Sequence, residues 1–152
     1  MMDYYTKDSL ETIEVGKKIG SILKPNDVIL LVGDLSAGKT TITKGIGISL
    51  GVNKIINSPT FTIVKEYKGI NLKLFHLDLY RLDGLDQDFD LEEYMDSGNV
   101  CVIEWPYQVK EILPNEYILI NIDRLNENER NIHVSFIGDK YKNYEEMLKC
   151  IH

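Results

Sequence analysis

The fold class predicted by the 152-residue sequence is a single α/β domain, with a mixed sheet flanked by helices. Three observations predict it. Residues 28–32 (VILLV) are five apolar residues in succession, as expected of a strand buried on both faces. The stretch that follows, Gly33-Asp34-Leu35-Ser36-Ala37-Gly38-Lys39-Thr40, satisfies G-x-x-x-x-G-K-[ST] at every position, and that motif sits between a strand and a helix. Residues 100–104 (VCVIE) form a second buried-type strand, and it ends in an acid.

The remaining elements follow in chain order. Asp8 with Glu11 resembles a capping box, and apolar residues recur at Leu10, Ile13, Ile19, Ile22 and Leu23. They predict a first helix stopped by Pro25-Asn26-Asp27. A second helix is predicted from about Lys39 to Leu50, with Gly51 placed to end it. Residues 61–67 (FTIVKEY) and 72–78 (LKLFHLD) read as a hairpin joined by KGIN. Residues 117–122 (YILINI) and 132–137 (IHVSFI) read as two further strands, and a short helix from about Asn143 to Cys150 closes the chain. No repeat, low-complexity tract or linker divides residues 1–152, so one domain is expected.

Composition narrows the function. The chain is 43% hydrophobic and 27% charged, carries a net charge of −7, and has Arg only at 81, 124 and 130. A protein that binds nucleic acid unaided presents a basic face, because neutralising phosphates drives its affinity. This sequence shows none. Charged residues at Asp3, Lys7, Asp8, Glu11, Glu14, Lys17 and Lys18 break any apolar signal core, and no run approaches the ~18 apolar residues of a membrane span. Cys101 and Cys150 show no paired spacing, and Cys101 reads as a small packed hydrophobe. A soluble protein of the reducing cytoplasm is the expectation.

In residues 33–40 each part has a physical task. The glycines let successive N–H groups curl inward towards phosphate oxygens, and the following helix adds the positive end of its dipole. Lys39 can reach the β- and γ-phosphates, and the Thr40 hydroxyl can ligate Mg²⁺. Lys39 is therefore expected to face solvent or ligand. Two strand-terminal acids compete as metal ligand: Glu104, and Asp78, which shares a strand face with His76. In the plainer reading Glu104 marks where a strand surfaces, and Asp78 caps the next turn. His76 reads as a packing or hydrogen-bonding residue. Trp105, the only Trp, is either a core anchor or a residue that orders the site. Asn57-Ser58-Pro59-Thr60-Phe61 is either a turn into a strand or a switch segment that senses γ-phosphate.

The only Asn-Lys pair, Asn53-Lys54, lacks the Asp of a guanine-specific N-K-x-D and falls too early. A small-metabolite kinase needs several arginines around its phosphates, and three scattered ones supply that poorly. It stays as the alternative to a compact ATPase. The segments GDLSAGKTTITKG, NSPTFTIVKEY, LFHLDLYRL, LEEYMDSG and VCVIEWP occur in that order. Together they resemble the bacterial TsaE (YjeE) family, the ATPase of tRNA threonylcarbamoyladenosine biosynthesis. The likeness runs from about Val28 to Pro106 and more weakly into both ends.

The resemblance implies that the chain binds and hydrolyses ATP with Mg²⁺ in support of the TsaD–TsaB pair. That pair modifies the adenosine beside the anticodon, so tRNA is met through the complex. On this likeness Gly33, Asp34, Leu35, Ser36, Ala37, Gly38, Lys39 and Thr40 hold ATP, and Thr41 supports the loop. Thr40 and Glu104 match the family's Mg²⁺ positions, Asp78 its motif acid, and Trp105 its functional Trp. Thr60 falls in the switch-like S-P-T motif, and Thr6 and Arg130 are the best matches for the adenine side. Lys39, Asp78, Glu104 and Trp105 form the implied catalytic set. Ser36 departs from the pattern by standing where the family usually has Gly, and a Cβ there restricts the loop. The stretch DGLDQDFD is also looser than the family pattern. With few arginines near the site, slow hydrolysis by the isolated chain is expected.

Overall fold

The computed structural model describes residues 1–59, 63–80, 90–107 and 112–151. Among them, seven strands form one mixed sheet. In chain order the elements are β1 (Met2–Thr6), α1 (Ser9–Ser21), β2 (Val28–Val32), α2 (Lys39–Leu50), β3 (Val64–Lys68), β4 (Lys73–Asp78), α3 (Leu91–Met95), β5 (Val100–Glu104), β6 (Tyr117–Arg124), β7 (Arg130–Ile137) and α4 (Tyr144–Lys149). The sheet order is β1-β7-β6-β2-β5-β4-β3. β6, β2, β5 and β4 run parallel through its centre, while β1, β7 and β3 pair antiparallel at its sides.

The centre of this order follows from composition. Every residue of β5 is buried, as are Val28 to Leu31 of β2, because helices cover both faces of a parallel sheet. On one face Ile29, Leu31 and Val102 pack with Val15 and Ile19 of α1 and Ile42 and Ile46 of α2. On the other, Leu30, Cys101 and Ile103 pack with Leu91 and Met95 of α3. Cys101 is indeed fully buried, and burial raises its thiol pKa well above the usual range.

The first helix starts where the capping residues place it. Asp8 is its N-cap and accepts a hydrogen bond from Glu11 N–H at 2.9 Å, while the Glu11 carboxylate accepts from Lys7 N–H at 2.7 Å. Its packing face differs from the apolar positions read in the sequence. Leu10 is 72% exposed, whereas Gly16 and Gly20 are buried. Here α1 crosses α2 at backbone contact. A Cβ on Gly16 would stand 2.3 Å from Ile42 O, and one on Gly45 would stand 2.1 Å from Ile13 O.

Both β1 and the short α3 were absent from the elements expected above. In β1 exposed residues alternate with half-buried ones and only Thr6 is fully buried, so its place comes from antiparallel pairing with β7. The hairpin is present as β3 and β4, with Tyr67 opposite Leu74. At the end of the sheet where β2 begins, Tyr144 Oη donates to buried Asp27 Oδ2 at 2.8 Å and ties α4 down. No helix among the described residues is long and apolar enough to cross a membrane.

Candidate functional site

Parallel pairing puts the C-terminal ends of β2, β5 and β4 at one edge of the sheet, the edge where open α/β sheets bind ligands. Register fixes which residues meet there. Leu31 pairs with Glu104, and Glu104 pairs with Asp78, so the two carboxylates stand side by side on neighbouring strands. The loop 33–38 leaves β2 at the same edge and turns directly into α2. An open cleft of about 350 Å³ lies against it, lined by Leu35 to Thr41, Ser58, Asp78, Glu104, Trp105 and Arg130. Residues distant in sequence are therefore gathered in one site.

Lys39 is the first residue of α2. Its Nζ donates to Gly33 O at 2.6 Å, and Thr43 Oγ1 donates to the Lys39 carbonyl at 2.9 Å. The ammonium lies 3.8 Å from the centroid of the Trp105 ring, a cation–π contact. Trp105 reaches it because its backbone is left-handed, φ 55°, directly after β5. Tyr80 backs the indole with a ring separation of 5.0 Å. The result is that Lys39 is only 6% exposed although it lines the cleft. Burial lowers its pKa, and the carboxylates of Glu104, Asp78 and Asp34 oppose that shift.

The acids differ in their partners. Glu104 is buried, and its Oε2 is hydrogen-bonded to Nε2 of fully buried His76. Asp78 Oδ1 accepts from Tyr80 N–H at 3.0 Å, so it does cap the next turn while also lining the cleft. The main chain pins both strand ends: Leu79 N–H donates to Glu104 O, and Asp78 N–H to Ile63 O. Ile63 itself has φ 65°, an uncommon conformation for a β-branched residue, just beyond the S-P-T segment. Ser58 of that segment lines the cleft; Thr60 lies outside the described residues, as does Arg81.

Arg130, from the start of β7, clamps the loop from the side. Its Nε donates to Ala37 O at 2.7 Å and its Nη2 to Ser36 O at 3.3 Å. Its Nη1 donates to Asn126 O and Glu129 O. The loop before it, residues 125–129, is thus joined to the phosphate-loop motif. Ser36 has φ 66°, the left-handed region where a Cβ costs on the order of 1–2 kcal/mol and glycine does not. A smaller pocket of about 120 Å³ shares Gly38, Thr41 and Arg130 with the cleft and adds Asp8, Ser9, Thr12 and Asn128. Thr6, paired with Arg130 across β1 and β7, lies buried beside it with its hydroxyl 2.8 Å from that of Thr12.

The comparisons with known proteins bear on the family and the fold. The family model described as "Threonylcarbamoyl adenosine biosynthesis protein TsaE" matches residues 6–132. The chain belongs to the TsaE family. Its similarity to a TsaE of Bacillus subtilis is 42% identity over 93% of this chain and 89% of that one. A Treponema pallidum TsaE is 37% identical over 86% of this chain and 97% of that one. The crystal structure of Bacillus subtilis YdiB superimposes with a TM-score of 0.86 at 38% identity, covering 97% of this chain and 93% of that one. The fold is thus P-loop NTPase-like, and TsaE membership places the chain in tRNA threonylcarbamoyladenosine biosynthesis.

Two features of this TsaE site were not read from the sequence. The Arg130 clamp had no local signal, since it depends on β7 lying two strands from β2. The His76–Glu104 contact had a partial one: period two already put His76 on the face that carries Asp78.

Proposed function

We propose that this chain is a Mg²⁺-dependent ATPase that acts within threonylcarbamoyl modification of tRNA by supporting the TsaD–TsaB pair in the cytoplasm. One observation carries the reading: the loop 33–40, Lys39, Asp78 and Glu104 share one edge of the sheet although they come from three strands.

The donor set fits the ligands. The loop leads straight into the N-terminus of α2, a twelve-residue helix whose dipole favours anions there. Mg²⁺ keeps several waters and needs only one or two carboxylates plus phosphate oxygens. Glu104 and Asp78 offer those, with Thr40 in the same cleft. Bound ATP with Mg²⁺ supplies the transferable phosphoryl group and a cation that neutralises its developing charge.

This chain's residues then have distinct duties. The backbone of 33–38 would hold the phosphates, and Lys39, now bonded to Gly33 O, would meet their oxygens. Glu104 and Thr40 would hold the cation, and Asp78, on the same cleft, would orient the attacking water. Trp105 covers Lys39 and keeps bulk water from it. The pocket around Ser9, Thr12 and Asn128 takes the base, with Thr6 bracing Thr12 and Arg130 fixing the loop between the two pockets.

Turnover depends on a partner. Arg130 is committed to backbone carbonyls, and Arg124 donates to Asn126 O at 3.2 Å. Neither described arginine is therefore poised to meet charge developing on a phosphoryl group, an effect worth about 10³–10⁵ in rate where it is supplied. Exposed Leu35 on the cleft lining, and exposed Tyr80 stacked on the Trp105 that lines it, give this side of the site an apolar surface suited to a protein. Calorimetric titration with ATP in the presence of Mg²⁺ and in EDTA tests the site. Saturable binding that Mg²⁺ tightens supports the reading; no binding, or binding indifferent to Mg²⁺, refutes it.

A further inference from the structure

We infer that His76 is the positioning residue of the metal ligand: it fixes the Glu104 carboxylate so that Oε1 meets the cation. The inference rests on the proposed Mg²⁺–ATP site and adds a residue to it.

The observation is an asymmetry in the ring's contacts. His76 is fully buried in β4, between Leu74 and Asp78 on the same strand face. Its Nδ1 is buried and has no hydrogen-bond partner among the described residues. Among the described residues the ring's one polar contact is Nε2 to Glu104 Oε2. A buried polar group without a partner is costly, so a histidine used only to fill space is a poor choice where Leu or Phe would pack. What histidine adds here is a single donor aimed at one carboxylate oxygen. Glu104 ionised as a cation ligand can only accept, so Nε2–H donates.

Glu104 needs such a hold. It stands beside Asp78 in register, so like charges drive the two carboxylates apart, and Lys39 draws on both. A glutamate also has one more rotatable bond than an aspartate and more freedom to lose. With Oε2 bound to His76, the carboxylate cannot turn wholly towards Lys39, and Oε1 is left for the cation. Partners that hold a carboxylate ligand in this way are typically worth about 10- to 100-fold in metal affinity.

The full chain and its His76→Leu, His76→Gln and His76→Asn variants provide the test. Gln places an N–H donor near the position of Nε2; Asn is too short and Leu has none. ATP affinity is measured by calorimetry in EDTA and across a Mg²⁺ series, with thermal melting as a check on folding. His76→Leu and His76→Asn are expected to need about 10- to 100-fold more Mg²⁺ for the same tightening, with affinity in EDTA within about twofold of the parent. His76→Gln is expected to recover most of the Mg²⁺ response. A purely structural role would lower melting temperature and both affinities together, and would not discriminate Gln from Asn. If Leu does not fold, the Gln–Asn contrast decides. Parental Mg²⁺ response in Asn, or equal loss in Gln and Asn, overturns the inference. A parent chain whose ATP binding ignores Mg²⁺ overturns it together with the metal site on which it rests.

Discussion

Replacing Lys39 with Met removes the ammonium while keeping most of the stem, and two effects separate cleanly. In the free protein the ammonium has one hydrogen bond, to Gly33 O, and a ring contact with Trp105, both inside a nearly closed environment. Losing them costs about 1 kcal/mol for the bond and about 0.5–2 kcal/mol for the ring contact. Burying an ammonium is itself unfavourable, which is why burial lowers the Lys39 pKa, and Met escapes that cost. These opposed terms leave folding stability within about 1 kcal/mol, or roughly 2–4 °C in melting temperature for a chain of this size. For ATP the balance differs. The charge-assisted bonds to phosphate have no substitute in Met and are worth about 1.5–3 kcal/mol, or about 10- to 150-fold in affinity. Calorimetry with ATP and Mg²⁺, paired with thermal melting, measures both quantities. ATP affinity within threefold of the parent, in a folded variant, would refute the assignment of Lys39 to the phosphates.

Glu104→Gln, nearly isosteric, is expected to retain ATP binding in EDTA and to lose Mg²⁺-dependent hydrolysis; phosphate release at the parental rate would transfer the metal to Asp78. Gly16→Ala forces a Cβ to 2.3 Å from Ile42 O, and overpacking of this kind costs about 1–3 kcal/mol, read as a lower denaturation midpoint in urea. An unchanged midpoint would contradict the close crossing of α1 and α2. His133 lies between Asp3 Oδ1 at 2.7 Å and Asp123 Oδ2 at 3.1 Å, and the hydrogen bond to Asp3, with help from Asp123, raises its pKa despite some desolvation. Its stabilising effect is therefore complete below about pH 6.5, the ordinary value, and fades as pH rises through the folded value. The melting-temperature gap between the parent and His133→Gln should shrink from pH 6 to pH 8, and a gap that widens would reverse the sign.

The sequence displayed the phosphate loop because its chemistry is contiguous: strand, glycine turn, Lys39 and Thr40 follow one another without a break. It displayed the parallel centre of the sheet for a related reason, since burial on both faces leaves an uninterrupted apolar run in β2 and β5. What it hid is non-local. Thr6, Arg130 and the loop meet only because β1 and β7 fold back antiparallel beside β6. Glycine is a weak helix former, yet Gly16 and Gly45 are what allow α1 and α2 to touch. Trp105 and Ser36 take left-handed backbones that no residue type other than Gly or Asn would announce. The two acids were visible as strand ends, but their adjacency required the β4–β5 register, and the His76 contact required it as well.

A phosphate-loop ATPase completed by its partners should turn over slowly by itself. The most direct measurement is phosphate release from ATP and Mg²⁺ by the purified chain, alone and with TsaD, TsaB and tRNA added. Slow release alone and a marked rise with the pair, abolished by Lys39→Met, is the expected result. Fast release by the isolated chain that the pair leaves unchanged would contradict the account and point to a self-sufficient enzyme.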